Sequence, residues 1–356
     1  MAERINSNDK TKTRKPAKKR VFGKLKTRTS AWVVIVVTIG LAIVIGKVGG
    51  AAQVANAVVS GGMWALLAVG LALILGVMNI PNFSHGESFM VGAYVAYFVF
   101  SPLYKYNLVS GSKFLFIVGP FIGFIAAALA GFILGIIIER LIFSPLRKRT
   151  RERWVMNAFL LTVGISFILT NGTNLVIGPN FRGIPRYWDV APFSFLGVRL
   201  TVDRIVAFTI AVVSIAALWF FLRRTKTGRA IRAVSQDESG ADMVGINIRF
   251  IHTLTFGLGT SMASVAGACL LFMFQAYPTV GLKPLYFAWY VVMLVGLGNV
   301  SGAIVGGFIV AFLQTGTQQF IGVAWEEVVP TIVMMLVLIV APSGIFGSEV
   351  KGIQEQ

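Results

Sequence analysis

Residues Arg223–Phe250, RRTKTGRAIRAVSQDESGADMVGINIRF, form a polar segment between two long apolar runs, Arg204–Leu222 and Ile251–Ala276. Six residues of this segment are basic, and Lys and Arg beside membrane spans are retained on the cytoplasmic side. The spacing Ser235-Gln-Asp-Glu238 predicts a capping box that starts a short helix, and Gly245 predicts a left-handed helix end. We therefore expect a small folded cytoplasmic element that is able to dock into a partner.

The composition around this segment indicates a membrane protein. Of the 356 residues, 56% are hydrophobic and only 13% are charged, and several apolar runs reach the roughly 20 residues that a spanning helix needs. The predicted fold class is all-α: a polytopic membrane helical bundle of about 8–10 spans, among which broken spans are expected. The ten candidate spans are Ala31–Gly46, Val54–Met78, Ser88–Leu103, Phe114–Ile138, Val155–Ile177, Arg204–Leu222, Ile251–Ala276, Phe287–Leu297, Ser301–Phe320 and Val328–Ala341.

The charge of the chain is concentrated at its start. The net charge is +18, and half of it lies in residues 1–29, which hold eleven Lys or Arg and two acids. We expect residues 1–30 to be a disordered basic tail in the cytoplasm that is attracted to anionic lipid heads. Nucleic-acid binding is not expected, because no soluble domain presents a basic face. Residues 31–46 are expected to be an extra N-terminal span, retained or acting as a signal-anchor, residues 54–347 the main membrane domain, and residues 348–356 a C-terminal tail.

The distribution of cations predicts the orientation. If the N-terminus is cytoplasmic and ten spans follow, 24 of the 32 Lys and Arg lie inside and 8 outside. The longest outer loop, Gly178–Asp203, is rich in aromatic residues and carries three prolines. It is equally consistent with a lip that receives a soluble partner and with an interfacial aromatic belt.

A second polar stretch, Met78–Tyr94, interrupts the apolar pattern. Ser84-His-Gly-Glu87 has capping-box spacing, so a helix is expected to begin near His85. Polar backbone at membrane depth is tolerated only where protein or water surrounds it. One interpretation is therefore a lining or gating role, and the alternative is an ordinary tight turn at the membrane face. The candidate residues of this stretch are Asn79, Asn82, His85 and Gly86.

A third stretch, Leu294–Gly307, joins two short apolar segments at a Gly-rich break that contains Asn299 and Gly302. It is typical either of the discontinuous helices of transporter sites or of a tight turn between packed spans. Small residues at four-residue spacing, Gly123 to Gly135 and Gly259 to Gly267, predict close helix packing in lipid.

Several functional classes find no support in the residues. There is no phosphate-binding loop of the G-x-x-x-x-G-K-[ST] type and no HExxH motif, so neither catalytic nor metal-binding residues are expected. The one cysteine, Cys269, excludes an internal disulfide. The spans contain almost no ionisable residues, which weakens the hypothesis of an ion-coupled carrier but does not exclude it.

Three stretches in this order resemble one family: Gly76–Tyr94, Gly228–Asn247 and Gly296–Gly307. The C-terminal sequence APSGIFG at Ala341–Gly347 resembles the same family. They are similar to the permease subunits of Liv-type ATP-binding-cassette (ABC) importers of branched-chain and neutral amino acids. The resemblance covers about residues 54–347 and implies that residues 223–250 are a coupling loop. It places the following residues in the segment that contacts the ATPase: Gly228, Arg229, Ala230, Ala233, Asp237, Ala241, Gly245 and Ile246.

The resemblance also implies partners and a location. They are two cytoplasmic ATP-binding subunits, a second permease subunit, a periplasmic solute-binding protein and the bilayer of the bacterial inner membrane. ATP and Mg²⁺ are expected on the partner subunits, with no cofactor on this chain and no enzymatic activity of its own. The alternatives are an importer of urea or short amides within the same family, and an ion-coupled carrier or channel.

Overall fold

The computed structural model describes residue 36 and residues 38–111, 113–149, 154–184, 191–195 and 198–346. The basic tail and the C-terminal tail lie outside the described residues, as does the start of the predicted first span. Thirteen helices follow one another in the described part of the chain. They are α1 (Thr38–Gly49), α2 (Ala51–Met78), α3 (His85–Ser110), α4 (Lys113–Ile138), α5 (Ser144–Arg149), α6 (Trp154–Ile177), α7 (Val202–Arg224), α8 (Lys226–Gln236), α9 (Glu238–Met243), α10 (Ile248–Leu270), α11 (Leu282–Val295), α12 (Val300–Phe320) and α13 (Val328–Val340).

The predicted helical bundle is confirmed. In the described residues, seven helices are long and apolar enough to cross a membrane, and two shorter apolar helices, α1 and α11, accompany them. These nine helices and α3 make ten, and each of the ten candidate spans overlaps one of them. The boundaries differ in places: α10 ends at Leu270 rather than Ala276, and α11 begins at Leu282, ahead of the predicted Phe287. The described residues also include a single π-helical turn (Glu139–Phe143, the π-turn), a 3₁₀ turn (Val323–Trp325) and two paired antiparallel strands, β1 (Phe193–Phe195) and β2 (Val198–Leu200).

Helices α2 and α10 form the centre of the bundle. In the most apolar stretch of α2, 89% of the residues are buried, and in that of α10 83% are, whereas the value is 11% for α6 and for α13. A helix that is apolar on all sides is stable only when buried in protein or lipid. The central pair is therefore enclosed by protein, and α6 and α13 present their apolar surfaces outward.

The close packing of these helices depends on small residues, as the four-residue stripes predicted. The Thr260 hydroxyl donates to the Gly131 carbonyl over 2.9 Å, so α4 and α10 nearly touch backbone to backbone. A Cβ at Gly135 would lie 2.1 Å from the Thr260 hydroxyl, and one at Gly267 would lie 1.9 Å from the Phe89 carbonyl of α3. Such contacts bring dispersion and polar interactions that larger side chains would prevent.

We call the end of the bundle that carries residues 223–250 the coupling end, and the opposite end the far end. The far end includes the connection between α6 and α7, whose middle, residues 185–190, lies outside the described residues. There Phe181 packs on Tyr277 with ring centroids 5.0 Å apart, and Arg182 and Ala276 exchange backbone hydrogen bonds. This connection is thus attached to the segment between α10 and α11.

Candidate coupling surface and buried polar break

The coupling segment begins where α7 ends. The Thr225 hydroxyl accepts a hydrogen bond from the Gly228 amide over 2.9 Å and so caps α8. Gly228 lies so close to α7 that a Cβ would be 2.3 Å from the Phe221 carbonyl. Helix α8 is amphipathic: Gly228, Ile231 and Val234 are buried, while Arg229 and Arg232 are exposed. The corner between α7 and α8 is therefore closely packed.

The predicted capping box at Ser235 is wrong. Ser235 lies within α8, and its hydroxyl donates to the Arg232 carbonyl over 2.8 Å. The cap of the next helix, α9, is Asp237, whose carboxylate accepts from the Gly240 amide over 3.1 Å. Asp237 has extended backbone angles, so the helical path breaks there and restarts as the six residues of α9. Helix α9 is therefore capped by the carboxylate of Asp237 and not by the hydroxyl of Ser235, which lies two residues earlier.

The predicted left-handed helix end at Gly245 is confirmed. Its φ is +83°, and the Ile246 amide returns to the Ala241 carbonyl over 3.1 Å, as in a Schellman motif. Asn247 then caps α10 through the Phe250 amide, at 3.0 Å. Ahead of this turn the side chains of Met243 and Val244 are 85% and 76% exposed. The coupling segment thus presents an apolar tip at the end of α9.

The coupling residues implied by the resemblance divide into two groups. Gly228 and Ala241 are buried against the bundle, and Ala230, Ala233 and Ile246 are half-buried. Arg229, Asp237 and Gly245 are exposed and available to a partner. Helix α8 contacts α2, α7 and α10. A displacement of the coupling segment therefore reaches both central helices directly.

A buried ionic cluster lies next to the coupling segment, and the sequence reasoning missed it. Glu139, in the π-turn that follows α4, is fully buried and accepts from the Thr253 hydroxyl of α10 over 2.6 Å. Its other oxygen lies 3.4 Å from the guanidinium of Arg147, which stacks 5.0 Å over the Trp154 ring. Partial burial raises the pKa of the Glu238 carboxyl in α9, and Arg147 opposes that increase. The cluster thus connects α4, α6 and α10 beneath the coupling segment.

One signal in the sequence pointed to this cluster. Glu139 is the only acidic residue between Glu87 and Glu152, and it stands at the end of an apolar span. A lone carboxylate at that depth requires a partner. The neighbouring His252 is also fully buried.

The polar break after α2 folds back into the bundle. Asn79 takes a left-handed conformation (φ 54°) and closes α2 through a hydrogen bond to the Leu75 carbonyl. Six residues later, the His85 imidazole lies 3.1 Å from the carbonyl of Leu67. Leu67 precedes the end of α2 by eleven residues, or about 16 Å at 1.5 Å per residue. Helix α3 therefore begins inside the bundle, which favours the buried break over a tight turn at the membrane face.

Helix α3 starts at His85 as predicted, but the expected capping box is absent from it. The Ser84 amide and hydroxyl both donate to the Asn82 side-chain oxygen, at 3.1 and 2.7 Å. The Glu87 carboxylate instead accepts from Ser166 over 2.7 Å and, more weakly, from Thr170 over 3.4 Å, both on α6. Both hydroxyls reach the same oxygen, Oε1, and the buried Oε2 has no hydrogen-bond partner among the described residues.

Close backbone contact and aromatic rings hold the break in place. Gly86 meets Gly281 so closely that a Cβ on Gly86 would be 2.6 Å from the Gly281 carbonyl. Phe83 packs on Trp289 of α11 and on Phe159 of α6, each with centroids 5.3 Å apart. The break is thus enclosed by α2, α6 and α11, as irregular backbone at membrane depth requires.

The Gly-rich break at Asn299 has the geometry of a tight turn. The Asn299 side-chain oxygen accepts from the Gly302 amide over 2.8 Å and caps α12, while its amide donates to the Phe346 carbonyl over 3.0 Å. A Cβ at Gly298 would lie 2.7 Å from Cα of Gly76, near the end of α2. His85 lies against Leu67 and Gly298 against Gly76, so His85 and the Gly-rich turn contact different levels of α2.

A second buried network at the far end was also missed. Glu326 accepts from Gln314 over 3.0 Å, and also from Gln318 and Lys283. Gln314 in turn accepts from the Trp64 ring of α2 over 2.9 Å. In the described part of the chain, no group of three or more His, Cys, Asp or Glu is placed to hold a metal ion.

Residues 53–338 match the family described as branched-chain amino acid transport system / permease component. The chain belongs to this family. It is 30% identical over 300 residues to the high-affinity branched-chain amino acid transport system permease protein LivH of Escherichia coli K12, covering 83% of this chain and 94% of LivH. It is 28% identical to BraD of Pseudomonas aeruginosa, a permease protein of the same description, covering 83% of this chain and 95% of BraD.

This permease also has more distant relatives. The ribose import permease protein RbsC of E. coli K12 is 25% identical over 78% of the chain and 81% of RbsC. No solved structure matches the chain significantly. The matched region contains the coupling segment and both polar breaks. The permease is a multi-pass membrane protein, and its relatives are transport permeases rather than enzymes.

Proposed function

We propose that this permease is the transmembrane subunit of an ATP-driven importer of branched-chain and other neutral amino acids. The observation that carries the proposal is the coupling segment. Two capped helices, α8 and α9, project the exposed Met243 and Val244 at one end while α8 rests on α2 and α10. An exposed apolar tip on a closely packed base is what a docking element for an ATP-binding subunit requires.

The partners follow from this arrangement. Two cytoplasmic ATP-binding subunits would hold ATP and Mg²⁺, since the chain has no phosphate-binding loop of its own. A second permease subunit and a periplasmic solute-binding protein would complete the importer. The coupling end would face the cytoplasm together with the N-terminus, in agreement with the excess of cations there. The complex would reside in the bacterial inner membrane.

The movement is a change of access driven from the coupling end. Closure of the ATP-binding subunits would displace α9 and its exposed tip, and α8 would transmit the displacement to α2 and α10. The buried break at residues 79–87 lies against α2, so its surroundings would change with the central pair. A ligand shifts such an equilibrium only by the difference of its affinity for the two states, and ATP on the partners would supply that difference.

The substrate class is taken from the relatives and from the interior. LivH and BraD are named for branched-chain amino acids, whereas RbsC is named for ribose. The polar groups at the buried break are mostly amides, hydroxyls and backbone carbonyls, with Glu87 held by two hydroxyls. Such groups suit a solute without net charge. Urea and short amides share this property and form the main competing class.

A competition experiment tests the proposal. Cells that express the permease with its ATP-binding, second permease and solute-binding partners are assayed for uptake of labelled leucine and, in parallel, of labelled urea and ribose. We expect unlabelled leucine, isoleucine and valine in tenfold excess to suppress uptake, and ribose and urea to leave it unchanged. Uptake of labelled urea or ribose without uptake of labelled leucine would assign the other substrate class, and leucine uptake without the ATP-binding subunits would reject the importer.

A further inference from the structure

A basic cavity opens at the coupling end, between the π-turn with α5 on one side and the start of α10 on the other. Its volume is about 670 Å³. Four of the residues that line it are cations, Arg140, Lys148, Arg149 and Arg249, and Ser144, Asn247 and Thr253 add hydroxyl and amide groups. None of its lining residues is acidic. The cavity therefore carries a concentrated positive charge from two separate helical elements.

The buried carboxylate of Glu139 is already engaged with other groups. Glu139 is fully buried behind the cavity, where it already pairs with Arg147 and accepts the Thr253 hydroxyl. Among the described residues, none of the four lining cations has a salt bridge to a carboxylate. Cations gathered around a cavity repel one another, and an anion between them would relieve that repulsion.

An exposed apolar stripe leads along α4 to the same cavity. Every fourth residue from Ile125 to Leu141 is apolar and exposed: Ile125, Leu129, Ile133, Ile137 and Leu141. Leu141, beside the cavity, is 71% exposed. From Leu129 to Leu141 the stripe is about 18 Å long, a little more than one leaflet of a hydrocarbon core of about 30 Å.

We propose that this cavity binds the headgroup of an anionic phospholipid whose acyl chain lies along the α4 stripe. The phosphate would contact Arg140, Lys148 and Arg249, and thereby join the end of α4 to the start of α10 beside the coupling segment. A free phosphate would use the cations but not the stripe. An ATP-binding subunit would approach the exposed tip of α9, whereas the stripe runs away from that tip along the membrane-facing side of α4.

Native mass spectrometry of the purified full-length chain, given phosphatidylglycerol or phosphatidylcholine with identical acyl chains, tests the proposal. We expect the wild type to retain phosphatidylglycerol preferentially. Each cation near a membrane surface contributes about 1 kcal/mol to anionic-lipid attraction, or roughly fivefold in affinity. The variant R140Q/K148Q/R249Q should therefore bind phosphatidylglycerol at least roughly tenfold more weakly, with phosphatidylcholine binding unchanged.

The matched control is R223Q/R224Q/K226Q, which removes three cations from the same end of the bundle but outside the cavity. It should bind phosphatidylglycerol as the wild type does. Leu141→Gln leaves all cations in place and interrupts the stripe, so it should weaken phosphatidylglycerol binding even if the triple variant fails to fold.

Three results would overturn the proposal. Equal loss of phosphatidylglycerol in the cavity variant and the control would show a general basic surface. Displacement of the lipid by millimolar inorganic phosphate, with Leu141→Gln behaving as the wild type, would show a free-anion site. Loss of ATP-binding-subunit association in the cavity variant, with lipid retention unchanged, would show a protein interface.

Discussion

At the scale of single residues, the tightest contacts of the bundle fall on glycines. A Cβ at Gly267 would lie 1.9 Å from the Phe89 carbonyl, whereas one at Gly172 on α6 would meet nothing within 4 Å. We expect Gly267→Ala to destabilise the protein by about 1–3 kcal/mol or more, because backbone cannot move aside cheaply. Gly172→Ala should leave stability unchanged or raise it by up to about 1 kcal/mol.

Thermal unfolding in detergent, followed by retention of the soluble monomer peak, measures both glycine variants. A lower melting temperature for Gly172→Ala than for Gly267→Ala would contradict the packing of α3 on α10.

The buried pair of Glu139 and Arg147 gives a second prediction at this scale. Glu139→Gln keeps the Thr253 hydrogen bond but leaves Arg147, whose side chain is 20% exposed, without its counter-charge. Removing one partner of a buried pair costs about 3–5 kcal/mol, and the exposure of Arg147 places this case at the lower end. The double variant E139Q/R147M should recover part of the loss. A Glu139→Gln protein as stable as the wild type would argue against the pair.

Single residues show where sequence reasoning reached its limit. The glycine stripes and the left-handed Gly245 follow from local rules, and the structure confirms them. The capping boxes at Ser235 and Ser84 obeyed the same kind of rule and were wrong. Asp237 caps α9 through the Gly240 amide, and the Asn82 side-chain oxygen accepts from the Ser84 amide and hydroxyl. Glu139 and Arg147 are eight residues apart across a π-turn, a spacing that no helical pairing rule covers.

At the scale of elements, the coupling segment is the part that a partner subunit would bind. Asp237→Arg removes the cap of α9, and Gly245→Trp places a side chain at φ +83°. We expect both variants to insert into the membrane normally and to lose uptake and association with the ATP-binding subunits. Ser239→Ala, on the same short helix, should retain both. Normal association and uptake in Asp237→Arg and Gly245→Trp would remove the assigned role of the segment.

The elements themselves were largely accessible from the sequence, because apolar runs of spanning length mark helices wherever they are surrounded by protein or lipid. The path of the chain between them was not. Hydropathy places residues 79–84 at a membrane face, but a left-handed Asn79 turns them back along α2. That reversal depends on contacts with Leu67, Gly281 and Trp289, which are distant in the sequence and carry no local signal.

At the scale of the whole molecule, the orientation is open to direct test. Cys269 is buried, so introduced cysteines can be labelled without background from it. Phe193→Cys at the far end should react with a membrane-impermeant maleimide in intact cells, and Met243→Cys at the coupling end should react only after the membrane is opened. The reverse pattern would place the coupling end outside the cell.

The central claim is that this permease is a passive path whose movement is driven at the coupling end by ATP bound to other subunits. The most direct measurement is concentrative leucine uptake in proteoliposomes that contain the permease alone or with its ATP-binding, second permease and solute-binding partners. We expect accumulation only in the complete system with ATP, and none in the permease alone under a proton or sodium gradient. Accumulation by the permease alone, driven by an ion gradient without ATP, would contradict the account.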